Sequence, residues 1–448
     1  MMMESDRIDL AHLEHILLIF WKNKKIFGMS VWFGYNGRTI IINRNGPFTE
    51  PFTCDSCLVN MEAQRGEIMF VRKGMLVLFG LLVVGACLWL FAGHTMQFRT
   101  GGSVVSQPDD GGKNNRYASY VFGTPEGPLI DVGYQPISIP SGTIPAVMMR
   151  DRILLRQLDE LGKSLKFHPF LEGGDINTFL FSGALEFMWA GDMPVIKAAA
   201  NIPIVITAQV KTAFASVVAR HLLSMDQLKG RRIGVAPGSS AHQVLLHGLA
   251  LNNLAEKDVQ LVKMPVNQMI DAMKKGTIDA FAIWEPTVTL ATDQIEDLTV
   301  LYRALTYSYL YFSKSIFDGH PEIVKLLTAA NLRAVRWMGR SQEHSYQACQ
   351  WHIALAEAFL KESYPLSVSQ CQVILNRDLL DPLPMTMIPP ESLQPDGSIA
   401  RKLKFLQQIG ILDAGIDPKV IFRVFRMEIL QEIVQNMDQW RVNEFDYQ

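Results

Sequence analysis

Cysteine is scarce in this chain, 5 in 448 residues. Cys54, Cys57, Cys87, Cys349 and Cys371 are too few and too scattered for a disulfide framework. The CxxC of Cys54 and Cys57 lacks a second pair and a nearby His, so it offers half of a zinc site. Cys349 and Cys371 fall on stretches with helical patterning and read as small buried hydrophobes, a bridge being permitted outside the cytosol. A surplus of either charge is also missing. The 42 Lys+Arg against 44 Asp+Glu leave a formal net charge of −2, without the basic excess that neutralises nucleic-acid phosphates. No GxSxG elbow, Walker loop, HExxH or paired Cys-His motif occurs, and nothing calls for a cofactor or a metal. A composition 48% hydrophobic and 19% charged leaves no room for long disorder.

What is present begins with one apolar run. Residues 75–92 (MLVLFGLLVVGACLWLFA) carry no charge, follow Arg72 and Lys73, and precede polar sequence. Roughly 20 apolar residues cross a bilayer core, so the run fits a transmembrane or signal-anchor helix. Its basic flank puts the amino end in the cytoplasm and everything after about residue 100 outside. Val84-Gly85-Ala86-Cys87 also resembles a lipoprotein cleavage box, with lipidation at Cys87 if translation starts at Met69. A retained anchor, a lipidated one and a cleaved leader all stay open. Residues 1–60 show no strong periodicity, the extension 1–74 is left unassigned, and residues 93–125 read as a linker.

From about Leu129 short apolar strands alternate with helical stretches, the pattern of an α/β fold. Two segments repeat one grammar. In the first, a strand at 130–134 leads through Pro140-Ser141-Gly142-Thr143 to a helix, a strand at 165–170, another helix, Gly183 and a strand at 185–189. In the second, 232–236 leads through Pro237-Gly238-Ser239-Ser240 to a helix, a strand at 259–264, a helix closed by Gly276 and a strand at 278–283. This predicts two similar lobes rather than one long sheet: 126–215 for the first, 216–304 for the second, and a return to the first over 305–448. Each lobe has the same joint, Gly183-Ala184-Leu185-Glu186 and Gly276-Thr277-Ile278-Asp279, where Gly ends a helix in the left-handed conformation. Beyond Tyr302 the chain turns helical, with apolar faces over 321–339, 350–361, 399–408 and 418–440. This tail is expected to pack back on the first lobe.

Three stretches together, 183–200 (GALEFMWAGDMPVIKAAA), 228–246 (LKGRRIGVAPGSSAHQVLL) and 276–291 (GTIDAFAIWEPTVTLA), resemble the periplasmic substrate-binding proteins of nitrate/sulfonate/taurine-type ABC transporters. The resemblance covers residues 129–340 and, weakly, on to about 412. Glu186 stands where the first joint more often has Asp. The resemblance implies a type II periplasmic-binding-protein fold, two lobes joined by crossovers and closing on a small ligand, with a permease and an ATPase as partners.

Ligands in open α/β sheets bind at the carboxyl ends of strands, which singles out the loops after them. Ser239, Ser240 and His242 open a helix, whose first N–H groups lack internal partners and suit an oxyanion. Gly191 and Asp192 form the corresponding loop of the first lobe. There Asp192 caps a helix or, with a free carboxylate, repels an anion and welcomes an amine. Trp284 and Glu285 end the second lobe's central strand, one to cover an apolar stem and the other to meet an amine or bridge the lobes. Tyr134 and Gln135 follow the first strand. The expected function is therefore that of a non-enzymatic receptor, tethered to the cytoplasmic membrane on its outer side. It captures a small organic anion and hands it to a permease. The alternatives are a membrane-anchored ligand sensor and a thiamine-pyrimidine-synthase-like enzyme on the same fold, although the cysteine-rich iron motif of such enzymes is absent near Trp284.

Overall fold

A computed structural model describes residues 114–124, 127–380 and 388–447, and the strands at 30–33 and 40–43. The apolar run at 75–92, Cys54, Cys57 and Cys87 lie outside the described residues. Among those described, no helix is long and apolar enough to cross a membrane. The chain divides into two compact units, residues 1–98 and 99–448. In the first, β1 (Ser30–Phe33) and β2 (Ile40–Asn43) pair antiparallel, from Ser30 opposite Asn43 to Phe33 opposite Ile40.

The second unit is built on eight strands: β3 (Leu129–Tyr134), β4 (Ser164–Pro169), β5 (Phe187–Gly191), β6 (Ile204–Arg220), β7 (Arg232–Val235), β8 (Gln260–Lys263), β9 (Ala280–Trp284) and β10 (Leu298–Ser313). Their order is β4-β3-β5-β10-β6-β9-β7-β8. β3 runs parallel to β4 and β5, and β7 runs parallel to β8 and β9. These are the two repeats, in the predicted places. They do not form separate sheets, however. β6 and β10, of 17 and 16 residues, lie antiparallel from Leu298 opposite Arg220 to Ser313 opposite Ile204. At about 3.3 Å per residue each spans roughly 50 Å, enough to serve both halves. Thus β10 pairs with β5 through Ser308–Phe312 and β6 with β9 through Ala215–Ala219. The length of β6 escaped the pattern because it is buried on both faces for most of its course and shows little apolar-polar alternation.

The repeated joint is a matched pair of contacts. Gly183 and Gly276 take φ of +76° and +65°, conformations in which a side chain is strained. The following acids then tie the central strand to its neighbour. Glu186 N–H donates to the Asp131 carbonyl (3.0 Å) while its Oε2 accepts from Asp131 N–H (2.7 Å). Asp279 does the same to Arg232, at 2.8 and 2.9 Å. Because these acids take the first rungs, β5 and β9 begin two residues later than the apolar pattern places them.

Four helices follow in the first half, α1 (Thr143–Met148), α2 (Arg152–Glu160), α3 (Gly173–Phe181) and α4 (Asp192–Asn201), and three in the second, α5 (Ser240–Leu251), α6 (Met269–Lys274) and α7 (Thr287–Gln294). The tail adds α8 (Lys314–Gly319), α9 (Pro321–Arg340), α10 (Gln342–Leu360), α11 (Val368–Asp378), α12 (Ser398–Gln408), α13 (Pro418–Phe422) and α14 (Met427–Gln435). It packs on the first half largely through α9, where Trp189 Nε1 donates to Asn331 Oδ1 (2.9 Å). Arg333 and Asp151, both fully buried, pair at 2.7 Å, and Arg333 also reaches the carbonyls of Trp440 and Arg441. The single helix expected over 418–440 is broken. Ile206 N–H donates to the Val424 carbonyl and Arg426 N–H to the Ile206 carbonyl, so the chain turns after α13 and Phe425 forms a parallel bridge to β6. A second correction concerns Cys349 and Cys371, which are buried as expected but bonded to each other, joining α10 to α11.

Two outcomes follow from these contacts. Closing a loop of this length contributes roughly 3 kcal/mol in the chain-entropy treatment, so Cys349→Ala/Cys371→Ala should lose about that much in urea unfolding, and reduction of the native chain should match it. Burial pushes the Glu186 carboxyl up to about 7. The folded chain then holds this proton more tightly than the unfolded one, and stability falls as pH rises from about 4.5 through 7. The melting temperature of Glu186→Gln relative to wild type should therefore increase between about pH 5 and about pH 8; a gap independent of pH would refute it.

Candidate ligand cleft

Between the two halves lies a cavity of about 100 Å³, well below the roughly 300–1,000 Å³ of pockets that take drug-sized ligands. Three helices begin at its wall: α3 at Glu172, Gly173 and Gly174, α4 at Gly191 and Pro194, and α5 at Gly238, Ser239 and Ser240. The leading N–H groups of a helix have no partner within it, and the dipole is positive there. Lys211, from the middle of β6, also lines the cavity and is 4% exposed. Its ammonium makes no hydrogen bond or ion pair with the described residues. Burial holds it below the usual lysine range, while the charges of Asp378 and Glu285 pull it back up. Lys197 stands on the same wall, and Glu172 is the one carboxylate there among the described residues.

The predicted residues divide into two groups. Gln135, Gly191, Ser239, Ser240 and Trp284 line the cavity. Gln135 Nε2 donates to the Leu171 carbonyl at 3.3 Å. Ser239 caps α5, its Oγ accepting from His242 N–H at 3.1 Å, and so keeps its own proton for a guest. Ser240 does not, because its hydroxyl donates to Asp192, and an ionised carboxylate can only accept.

Tyr134, Asp192, His242 and Glu285 stand behind the wall. Tyr134 is buried in the core of the first half, edge-on to Phe167. His242 turns inward: its Nδ1 accepts from Gly238 N–H (3.1 Å), its ring lies against Phe405 of α12, and burial lowers its pKa, leaving it neutral at pH 7. Glu285 accepts from Thr289 N–H and Oγ1 (3.0 and 2.9 Å) and from Arg377 (3.3 Å). Arg377 is meanwhile clamped on Asp378.

Asp192 is the largest departure, for its carboxylate is neither free nor a cap on the ligand side. Oδ1 accepts from Met193 N–H (2.9 Å) and the Ser240 hydroxyl. Oδ2 accepts from Tyr307 N–H (3.1 Å) and pairs with Lys402 Nζ (2.7 Å). Lys402, from α12, also donates to Gln243 Oε1 (3.2 Å) of the second half and lies 5.4 Å from the Tyr307 ring centre. Sequence reasoning missed Lys211, Lys402 and Tyr307. A lone Lys inside an apolar strand was the available signal for Lys211, and none existed for the other two.

Residues 195–354 match a family described as NMT1-like. The taurine-binding periplasmic protein of Escherichia coli K12 is 26% identical over 184 residues, 39% of this chain and 58% of that protein. The chain thus spans less than two thirds of that relative's length. In fold it is similar to the alkanesulfonate-binding protein SsuA of Xanthomonas axonopodis pv. citri, solved with MOPS (TM-score 0.52, 17% identity, 66% of this chain and 98% of that one). It is similar also to the periplasmic nitrate-binding protein NrtA of Synechocystis PCC 6803 (0.50, 16%, 70% and 90%).

A buried ion left without its partner costs about 3–5 kcal/mol. Lys402→Met should lower the unfolding free energy by that much in urea, and Asp192→Asn/Lys402→Met should recover most of the loss. Equal stability of the single variant and wild type would deny the pair its structural weight. With its two repeats carried on a pair of shared antiparallel strands around a central cleft, the chain has a periplasmic-binding-protein fold, and its sequence is similar to those of bacterial taurine- and sulfonate-binding proteins.

Proposed function

We propose that this chain is the solute-binding component of an ABC import system, capturing a small organic anion of the sulfonate, taurine or nitrate kind in the cleft and delivering it to a permease and its ATPase. The observation that carries this reading is the cavity wall, where three helix starts converge with a buried Lys211 whose ammonium has no hydrogen bond or ion pair among the described residues. One helix terminus contributes about 0.3–1 kcal/mol, or about 2 when partly buried, while micromolar affinity needs about 8. Several such donors, together with charge-assisted hydrogen bonds of about 1.5–3 kcal/mol from Lys211, reach that range.

In this reading Gln135, Gly191, Ser239, Ser240 and Trp284 touch the guest. Tyr134, Asp192, His242 and Glu285 hold those residues in place. The cleft needs no covalent step. Closure of the halves over the guest supplies the shape that a permease recognises, and the Cys349–Cys371 bond suits an oxidising compartment. The uncharged run at 75–92 tethers the receptor to the outer side of the cytoplasmic membrane, as a retained helix or through a lipid on Cys87.

Thermal shift and titration calorimetry of the full chain with ethanesulfonate, nitrate, bicarbonate and butylamine test the proposal. At least one anion should bind, and a concentration of about 100 Kd should stabilise the fold by about 2.7 kcal/mol. Lys211→Met should weaken that anion about tenfold or more and Ser239→Ala by less, as loss of a charged and a neutral hydrogen bond dictates. Binding of the amine alone, or anion affinity indifferent to Lys211, would overturn it.

A further inference from the structure

We infer that Lys402 fixes the ligand class of the cleft: by occupying Asp192 from behind, it restricts the site to anions that carry no ammonium group, simple sulfonates or carboxylates rather than zwitterionic amino-sulfonates. This rests on the reading of the cleft as an anion site and narrows it.

A carboxylate offers about four lone-pair positions. At Asp192 all four are filled, by Met193 N–H, the Ser240 hydroxyl, Tyr307 N–H and Lys402 Nζ. Both ionised partners are buried, Asp192 at 0% and Lys402 at 5% exposure, so solvent does not exchange for either. The acid that opens α4 behind the wall is therefore saturated and charge-neutralised. An amine entering the cavity meets the back of this arrangement, the Ser240 oxygen and the Gly191 backbone, and not the carboxylate.

The remaining acids do not replace it. Glu285 and Asp378 face Arg377. Glu172, on the wall, is tied into the capping box that opens α3 and also accepts from Val266 N–H of the opposite half at 3.2 Å. Against this one acid the wall sets two ammonium groups, Lys197 and Lys211. A second ammonium brought in by the guest would be stripped of water beside them. Lys402 itself comes from the tail, more than 200 residues beyond Asp192, so the acid's availability is decided by a segment outside the two repeats.

The test compares ethanesulfonate with taurine, which differ by one amino group, by calorimetry at pH 7 on the full chain. Wild type should favour ethanesulfonate by about tenfold or more, since an ammonium desolvated against a wall of two ammonium groups and one already engaged carboxylate forfeits that much. In Lys402→Ala the Asp192 charge behind the wall is no longer neutralised, so its field at the cavity favours a guest ammonium, and the preference should shift toward taurine by about tenfold. If the variant does not fold, the wild-type ratio still decides. Equal or tighter binding of taurine by wild type overturns the inference while leaving the anion receptor standing. Failure of wild type to bind any anion removes the receptor reading as well.

Discussion

The carboxylate of Asp192 is the point through which four separate parts of the chain are held. Its own helix donates through Met193, the opposite half through Ser240, β10 through the Tyr307 backbone, and the tail through Lys402. Burying a carboxylate is costly unless it is paired and fully hydrogen-bonded, so the four donors must arrive together or the site does not form. The start of α4, the approach of α5 across the cleft and the seating of α12 thus depend on one another. Lys402 extends the node by reaching Gln243 in the second half, which makes the tail a strap across both halves.

The same node explains how a cleft with acids close behind it can suit an anion. The nearby acids, Asp192, Glu285 and Asp378, are each engaged by a cation, and Asp192 by backbone and hydroxyl donors as well. The wall itself carries the positive ends of three helices, the Ser239 hydroxyl, Lys197 and Lys211 against the one carboxylate of Glu172. Two links cross the cleft directly, Ser240 to Asp192 and Val266 to Glu172. Opening would break both, while β6 and β10 run unbroken from one half to the other and supply the continuous connection about which such halves turn.

Much of this was readable in advance. Strand-loop-helix order, the glycine joints and the helix opening at Ser239 follow from local rules of turn and cap chemistry, which act within a few residues. The substitution of Glu186 for Asp changed nothing in the joint, because the longer side chain still accepts the Asp131 N–H. Prediction failed where a distant segment intervened. The helix expected over 418–440 is interrupted because residues 424–426 found hydrogen bonds on β6. The carboxylate of Asp192, read as a helix cap or as free for a ligand, accepts a first-turn N–H of its own helix and is also paired with Lys402 of α12.

The sequence by itself determined the α/β class and the strand-helix order of the two repeats, since periodicity and glycine placement are local properties of the chain. Only the tertiary structure decided that the halves share two long strands, that Cys349 and Cys371 are joined, that Lys211 lines the cleft and that Lys402 pairs with Asp192. Those outcomes depend on which groups meet across more than a hundred residues and are shut off from water together, and burial of charge is a property of the assembled fold.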